Sequence, residues 1–132
     1  MNSCEVYFSI RSPSLDPAEI TAAIGVAPTR SKVKAIPVPT ASYWDLSSGR
    51  VVAELIDVYE QTEALLRPLL PRATAIRQIA AAYDAFVVLQ VVLTISMDER
   101  LSTPAIGFSK SVLEFLASVG ASIDIDTYRG VE

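Results

Sequence analysis

Histidine is absent from the 132 residues, cysteine occurs once, and the five glycines stand singly. Without histidine the chain lacks the usual general base at neutral pH, the commonest metal ligand and the middle member of the familiar catalytic triads. A lone cysteine, Cys4, forms no intrachain disulfide, so no oxidising compartment is implied, and with no histidine to activate it the thiol is a poor nucleophile. Scattered glycines build no Gly-rich phosphate loop. Basic charge is scarce too: 11 Lys and Arg against 15 Asp and Glu give a net charge of −4, and Arg30-Ser31-Lys32-Val33-Lys34 is the one small basic cluster. Polyanion binding is driven by neutralising phosphates, so a nucleic-acid partner is not expected. No stretch approaches the roughly 20 apolar residues of a spanning helix, and the start Met1 to Phe8 lacks the basic opening and apolar run of a signal peptide. The absences together predict a cytoplasmic protein with no membrane partner, no metal, no cofactor and no catalytic residue.

What is abundant is apolar. Hydrophobic residues make up 51% of the chain, and the mean hydropathy of +0.37 is high for a soluble monomer, an excess that a homodimer would absorb. The length is that of one domain over residues 1–132. Its longest β-branched run is Phe86 to Ser96, which lacks Gly and Pro and reads as a strand. One face carries Val87, Leu89, Val91, Leu93 and Ile95; the other carries Phe86, Val88, Gln90, Val92, Thr94 and Ser96. A strand apolar on both sides is expected to be covered on both sides. Eleven residues at about 3.3 Å each would span roughly 36 Å, longer than its sheet, so the mixed face of Val88, Gln90, Val92 and Thr94 is the predicted dimer face.

Taken in order, Cys4 to Arg11 alternates as a half-buried strand, ended by Pro13. Asp16-Pro17-Ala18-Glu19 combines an N-cap acid, a first-turn proline and a capping-box glutamate, so a short helix starts there and stops at Gly25. Prolines 28, 37 and 39 keep the next stretch irregular, with an edge strand predicted over Val33 to Ile36. Ser42 to Ser47 reads as a strand with Trp44 pointing into the core. A long helix is predicted from Val51 to Arg67, where Val52, Leu55, Ile56, Tyr59 and Leu66 share a face, and a shorter one from Ala73 to Tyr83. Ser109 caps the last helix, which ends at Gly120. A very short strand is allowed for at Ala105 to Phe108, and Ala121 to Tyr128 alternates again, with Ile123 and Ile125 inward.

Strand, capped helix and strand recur in both halves. The predicted class is therefore α+β, a ferredoxin-like plait: a mostly antiparallel sheet with helices on one face, two βαβ halves joined by a helical connection.

The ordered set Tyr7-Phe8-Ser9-Ile10-Arg11, Leu15-Asp16-Pro17-Ala18-Glu19-Ile20-Thr21, Gly25, Pro28-Thr29, Trp44-Asp45-Leu46-Ser47 and Gly120 to Tyr128 resembles a bacterial family catalogued only as a domain of unknown function. The likeness covers almost the whole chain. It implies a small cytoplasmic bacterial domain and carries over no catalytic residue.

The candidate binding face gathers Tyr7, Arg11, Arg30, Tyr43, Trp44, Asp45, Asp124, Asp126 and Tyr128. Asp124 and Asp126 lie on one side of a strand, where two carboxylates could hold a cation or a basic partner, although keeping an exposed sheet face soluble is the simpler account. Arg30 could clamp an anion through its planar fork. Tyr7, Tyr43 and Tyr128 suit an interface, as they suit plain cross-strand packing. The function expected is a non-enzymatic protein-interaction or immunity-type module, its acidic surface opposing a basic target. The alternative is a small-ligand sensor or enzyme with a pocket between the sheet and the Pro28 to Thr40 loop, near Trp44, Tyr43 and Arg30.

Overall fold

Alternation along the first strand decides which way the domain faces. In the computed structural model, which describes residues 1–130, Cys4, Val6, Phe8 and Ile10 of β1 (Asn2–Ser12) are fully buried, whereas Glu5, Tyr7 and Arg11 are half-buried on the other face. The remaining elements are α1 (Pro17–Ile24), β2 (Arg30–Lys32), β3 (Ser42–Ala53), α2 (Val58–Leu66), α3 (Ala73–Ala82), β4 (Phe86–Ile95), α4 (Lys110–Ser118) and β5 (Ser122–Arg129), with a 3-10 turn at Leu70–Arg72. The helices bury Ile20, Ile24, Leu65, Leu66, Ile76, Val112, Phe115 and Leu116 in one core with the inward residues of β1, β3 and β4. Phe8 meets Phe115 with ring centroids 5.8 Å apart. Trp44 is fully buried there, and its indole N–H donates to Thr21 Oγ1 at 3.0 Å, which supplies the partner that a buried indole needs.

The five-stranded sheet has the order β2-β3-β1-β4-β5. The fold is α+β and mostly antiparallel; the expected first half, running from β1 through α1 to the strand around Trp44, is not a parallel unit, because that strand is β3, the antiparallel neighbour of β1. β1 is antiparallel to both β3 and β4; β4 and β5, joined through α4, are parallel neighbours, while β1 and β2, joined through α1, run parallel on either side of β3. In the first half the chain leaving α1 makes the short strand β2 and, after the loop of residues 33–41, returns as β3 between β2 and β1.

Three boundaries also differ. The strand after α1 is Arg30–Lys32, not Val33 to Ile36, and Val33, Ile36 and Val38 are exposed. β3 runs on to Ala53, so the first turns of the predicted Val51 to Arg67 helix are strand. Asp57 is the actual N-cap, its carboxylate accepting from Glu60 N–H at 3.3 Å. β4 does not outrun its sheet: β1 pairs along it from Phe86 to Thr94 and β5 from Val88 to Ile95. Nor is its second face covered by another layer among the described residues; Val88 and Gln90 are buried beside their register neighbours on β1 and β5.

A bulge breaks the β1–β3 ladder between Glu5 and Tyr7. Gly49 adopts φ +74° there, the left-handed conformation that favours glycine and marks a bulge. Backbone groups freed by the bulge are served by side chains: Val6 N–H donates to Ser48 Oγ at 3.1 Å, and Gln61 Nε2 of α2 donates to the Cys4 carbonyl and to Ser48 Oγ, both at 2.9 Å. Near the same end Asn2, buried, donates to the carbonyls of Glu54 and Ser102 at 2.8 and 2.9 Å and accepts from Ser96 N–H at 2.7 Å. One amide thus ties two loops, the one after β3 and the one after β4, to the first strand.

Candidate functional site

Register places every predicted binding-face residue except Trp44 on the helix-free face. Tyr7 and Arg11 on β1, Tyr43 and Asp45 on β3, Arg30 on β2, and Asp124, Asp126 and Tyr128 on β5 share that side with Val88, Gln90, Val92 and Thr94 of β4. The predicted binding face and the predicted dimer face are therefore one surface. Trp44 points the opposite way, because it alternates with Tyr43 and Asp45. Of the β4 set, Val88 and Gln90 are buried within the chain, and Val92 and Thr94 are half-exposed. Asp124, Asp126 and Tyr128 line the exposed edge strand, where Asp126 accepts from Gln90 Nε2 at 2.9 Å.

Arg30 organises the centre of the other flank. Its Nε donates to Asp45 Oδ2 at 3.1 Å, its Nη1 to Glu5 Oε2 at 3.0 Å, and its Cζ lies 4.6 Å from the centroid of the Tyr7 ring. Ser47 Oγ also donates to Glu5 Oε2, at 2.5 Å. Partial burial pushes Glu5 up, but the hydrogen bonds from Ser47 and Arg30, with the charge of Arg30, outweigh it and hold the carboxyl below its ordinary range. The fork that could have clamped an external anion is thus used inside the sheet. Asp45 is only 4% exposed, and its Oδ1 is buried without a hydrogen-bond partner. Such an atom is costly to leave unmet.

Beside this cluster is a recess of about 230 Å³ lined by Arg11, Tyr43, Asp45, Pro39, Thr40 and Ala41. It lies where the sheet meets the loop after β2, as the sequence suggested for a pocket, but Arg11 and Asp45 line it rather than Trp44 and Arg30. The loop is fastened by Ala35 N–H to the Pro39 carbonyl at 2.9 Å and Lys34 N–H to Ser42 Oγ at 2.8 Å.

A second, larger cleft has no counterpart in the sequence reading. It has a volume of about 620 Å³ and lies on the helix side between β3 and α2, walled by Leu46, Val51, Leu55, Leu65 and Pro68, with Asp57 and Glu60 at its acidic end. Reading residues 51–57 as helix hid it. β2 pairs only with Tyr43 to Asp45, and further along Thr29 Oγ1 accepts from Ser47 N–H and Ser47 Oγ from Gly49 N–H, both at 2.9 Å, so among the described residues the outer edge of β3 with no strand or side chain on it is confined to residues 50–53. Val51, Val52 and Leu55 are 41, 53 and 62% exposed. An apolar cleft next to a bare strand edge is a combination that recognises extended peptides.

Cys4 lies under this region with its thiol pushed up to about 11 by burial and by the neighbouring Glu5 charge, so it stays protonated at neutral pH. Among the described residues no three His, Cys, Asp or Glu side chains are grouped to hold a metal ion, and no helix is long and apolar enough to cross a membrane.

No curated protein and no solved structure matches the chain. One family model does match, over residues 2–130; its description is Domain of unknown function (DUF4279).

Proposed function

The chain belongs to the DUF4279 family, and from that premise we propose a non-enzymatic binding domain whose partner is a protein. An extended, basic and apolar segment of the partner lies in the cleft between β3 and α2 and adds to the free edge of β3. The observation that carries this reading is the run of open strand edge alongside a cleft of about 620 Å³. In strand addition, main-chain hydrogen bonds supply affinity and alternate side chains supply specificity. Charge selects the sign of the partner: Glu54, Asp57, Glu60 and Glu63 follow one another along residues 54–63 with no basic side chain among them. Complementary charge speeds encounter and rejects acidic competitors. An immunity-type role, covering a basic target, is the form of this function that the acidic balance favours.

Co-purification with the products of genes neighbouring its own tests the reading. A basic partner is expected to be retained by the native domain and lost with Leu55→Asp, a change at an exposed side chain that leaves the fold intact. No interaction with any of those products would overturn the protein-partner reading; undiminished capture by Leu55→Asp would overturn the cleft as the site.

A further inference from the structure

At the end of β3 remote from the cleft, we infer that the loop of residues 33–41 docks on an anionic lipid surface. Val33, Ile36 and Val38 enter the headgroup layer, and Lys32 and Lys34 pair with the anionic groups of the lipids. The inference does not rest on the partner cleft and goes beyond it.

Exposure singles out this loop. Ile36, Val38 and Val33 are 95, 71 and 65% exposed, the three most exposed large apolar side chains among the described residues. Apolar side chains exposed one at a time are ordinary, but three on one loop mark an interaction site. Residues 31–38 are exposed without interruption, so the loop stands clear of the body of the domain. It is held in one shape nonetheless. Ala35 N–H donates to the Pro39 carbonyl at 2.9 Å and Lys34 N–H to Ser42 Oγ at 2.8 Å, while Pro37 and Pro39 restrict the backbone. A shape fixed in advance loses less freedom on docking.

Charge and form together select the occupant. Between Glu19 and Asp45 the chain holds Arg30, Lys32 and Lys34 and no acid, although its net charge is −4. Arg30 is committed to Glu5 and Asp45, whereas Lys32 and Lys34 are exposed and form no ion pair among the described residues. The lysines stand at the root of the loop, Lys32 in β2 and Lys34 bonded to Ser42, with Ile36 and Val38 beyond them. Cations behind and apolar groups in front match a bilayer, where charged headgroups overlie hydrocarbon, and reversible attachment needs the two signals together. A protein partner would need a hollow for this tip, whereas fluid lipid closes round a protruding shape. An anionic surface repels the acidic remainder of the chain and attracts the loop, so encounter is loop first. Ser42 and Val51 lie towards opposite ends of β3, about 30 Å apart at about 3.3 Å per residue, so the cleft stays open while the loop is docked. The lack of a spanning helix bears on crossing a bilayer and not on lying against one.

The test is co-sedimentation of the full chain with vesicles of phosphatidylcholine alone and of phosphatidylcholine with phosphatidylserine at about three to one. The native protein is expected to pellet with the anionic vesicles only and to be released as salt rises. Ile36→Asp changes a side chain that touches almost nothing, so it keeps the native Tm and is expected to abolish pelleting. Lys32→Gln with Lys34→Gln is expected to weaken binding about twenty- to thirtyfold, roughly fivefold for each lysine near the surface. Leu55→Asp, in the cleft, is expected to pellet as the native protein does, which keeps this result separate from the partner reading. No pelleting with anionic vesicles, the outcome if the loop serves an acidic protein, would overturn the inference. So would equal pelleting with neutral vesicles, undiminished pelleting of Ile36→Asp, or loss of pelleting in Leu55→Asp.

Discussion

Arg30 and Asp45 are register partners across β2 and β3 and are also an ion pair, with Nε 3.1 Å from Oδ2. The shortest strand of the sheet is thus pinned through the side chain that would otherwise be its most mobile. Asp45 is 4% exposed, and among the described residues Arg30 is the one hydrogen-bond partner of its carboxylate.

Arg30→Ala should therefore destabilise the domain by about 2–3 kcal/mol, the range for removing a charged partner and stranding a buried acceptor. Arg30→Lys should recover part of the loss, because a single ammonium cannot serve Asp45, Glu5 and the Tyr7 face together. Urea denaturation of the three proteins measures both.

Acid should loosen the same flank. The Glu5 carboxyl titrates below its ordinary 4.5 when folded, so the folded state holds fewer protons than the unfolded chain between the two values. The stability Glu5 contributes is fully present above the unfolded value and is lost as pH falls through the folded one. Urea midpoints measured from pH 6 to pH 3 should fall less steeply in Glu5→Gln than in the native protein.

At the bulge, Gly49 has φ +74° and no atom within 4 Å of an added Cβ, so space is not the obstacle to a larger residue. Backbone conformation is. Gly49→Ala should cost about 1–2 kcal/mol, and amide spectra should show the change propagating to Val51 and Gln61, which border the cleft.

Asn2→Ala removes three hydrogen bonds that join β1 to the loops at Glu54, Ser96 and Ser102. A loss of about 2 kcal/mol is expected, with hydrogen exchange fastest in the 96–103 loop.

The open face separates packing from assembly. Val88 is 2% exposed, so Val88→Glu buries an unpaired charge and should cost more than about 3 kcal/mol. Val92 is half-exposed between Glu5 and Asp126, so Val92→Lys should cost less than about 1 kcal/mol. Light scattering at micromolar concentration should give a dimer mass for the native protein and a monomer mass for Val92→Lys; a monomeric native protein would sink the homodimer expectation.

Local signals carried most of the element list. The Asp16-Pro17-Ala18-Glu19 cap, the left-handed Gly25 and the alternation of β1 were legible because each depends on neighbours within four residues, whereas Ile125 of β5, expected inward, is exposed because β5 is the edge strand. The same signature stands at Asp57 and Glu60 and gives the true start of α2. It was outweighed by a wheel pattern in Val52, Leu55 and Ile56 that strand and turn residues happened to share. Arg11 was legible as a residue of the helix-free face, but the recess it shares with Asp45 and the 39–41 loop was not, since nothing in the sequence says which loop closes over which strand.

The sequence by itself determined the α+β class, the inward and outward faces of β1, and the burial of Trp44, because side-chain period is a local property of strand and helix. Tertiary structure decided the antiparallel placement of β1 between β3 and β4, the bulge at Gly49, the bare edge of β3 and the recess beside Asp45. These depend on strand order and register, which are set by contacts between residues tens of positions apart. The physical reason is that a pattern of apolar residues says a strand must be covered, while only the assembled sheet says by what.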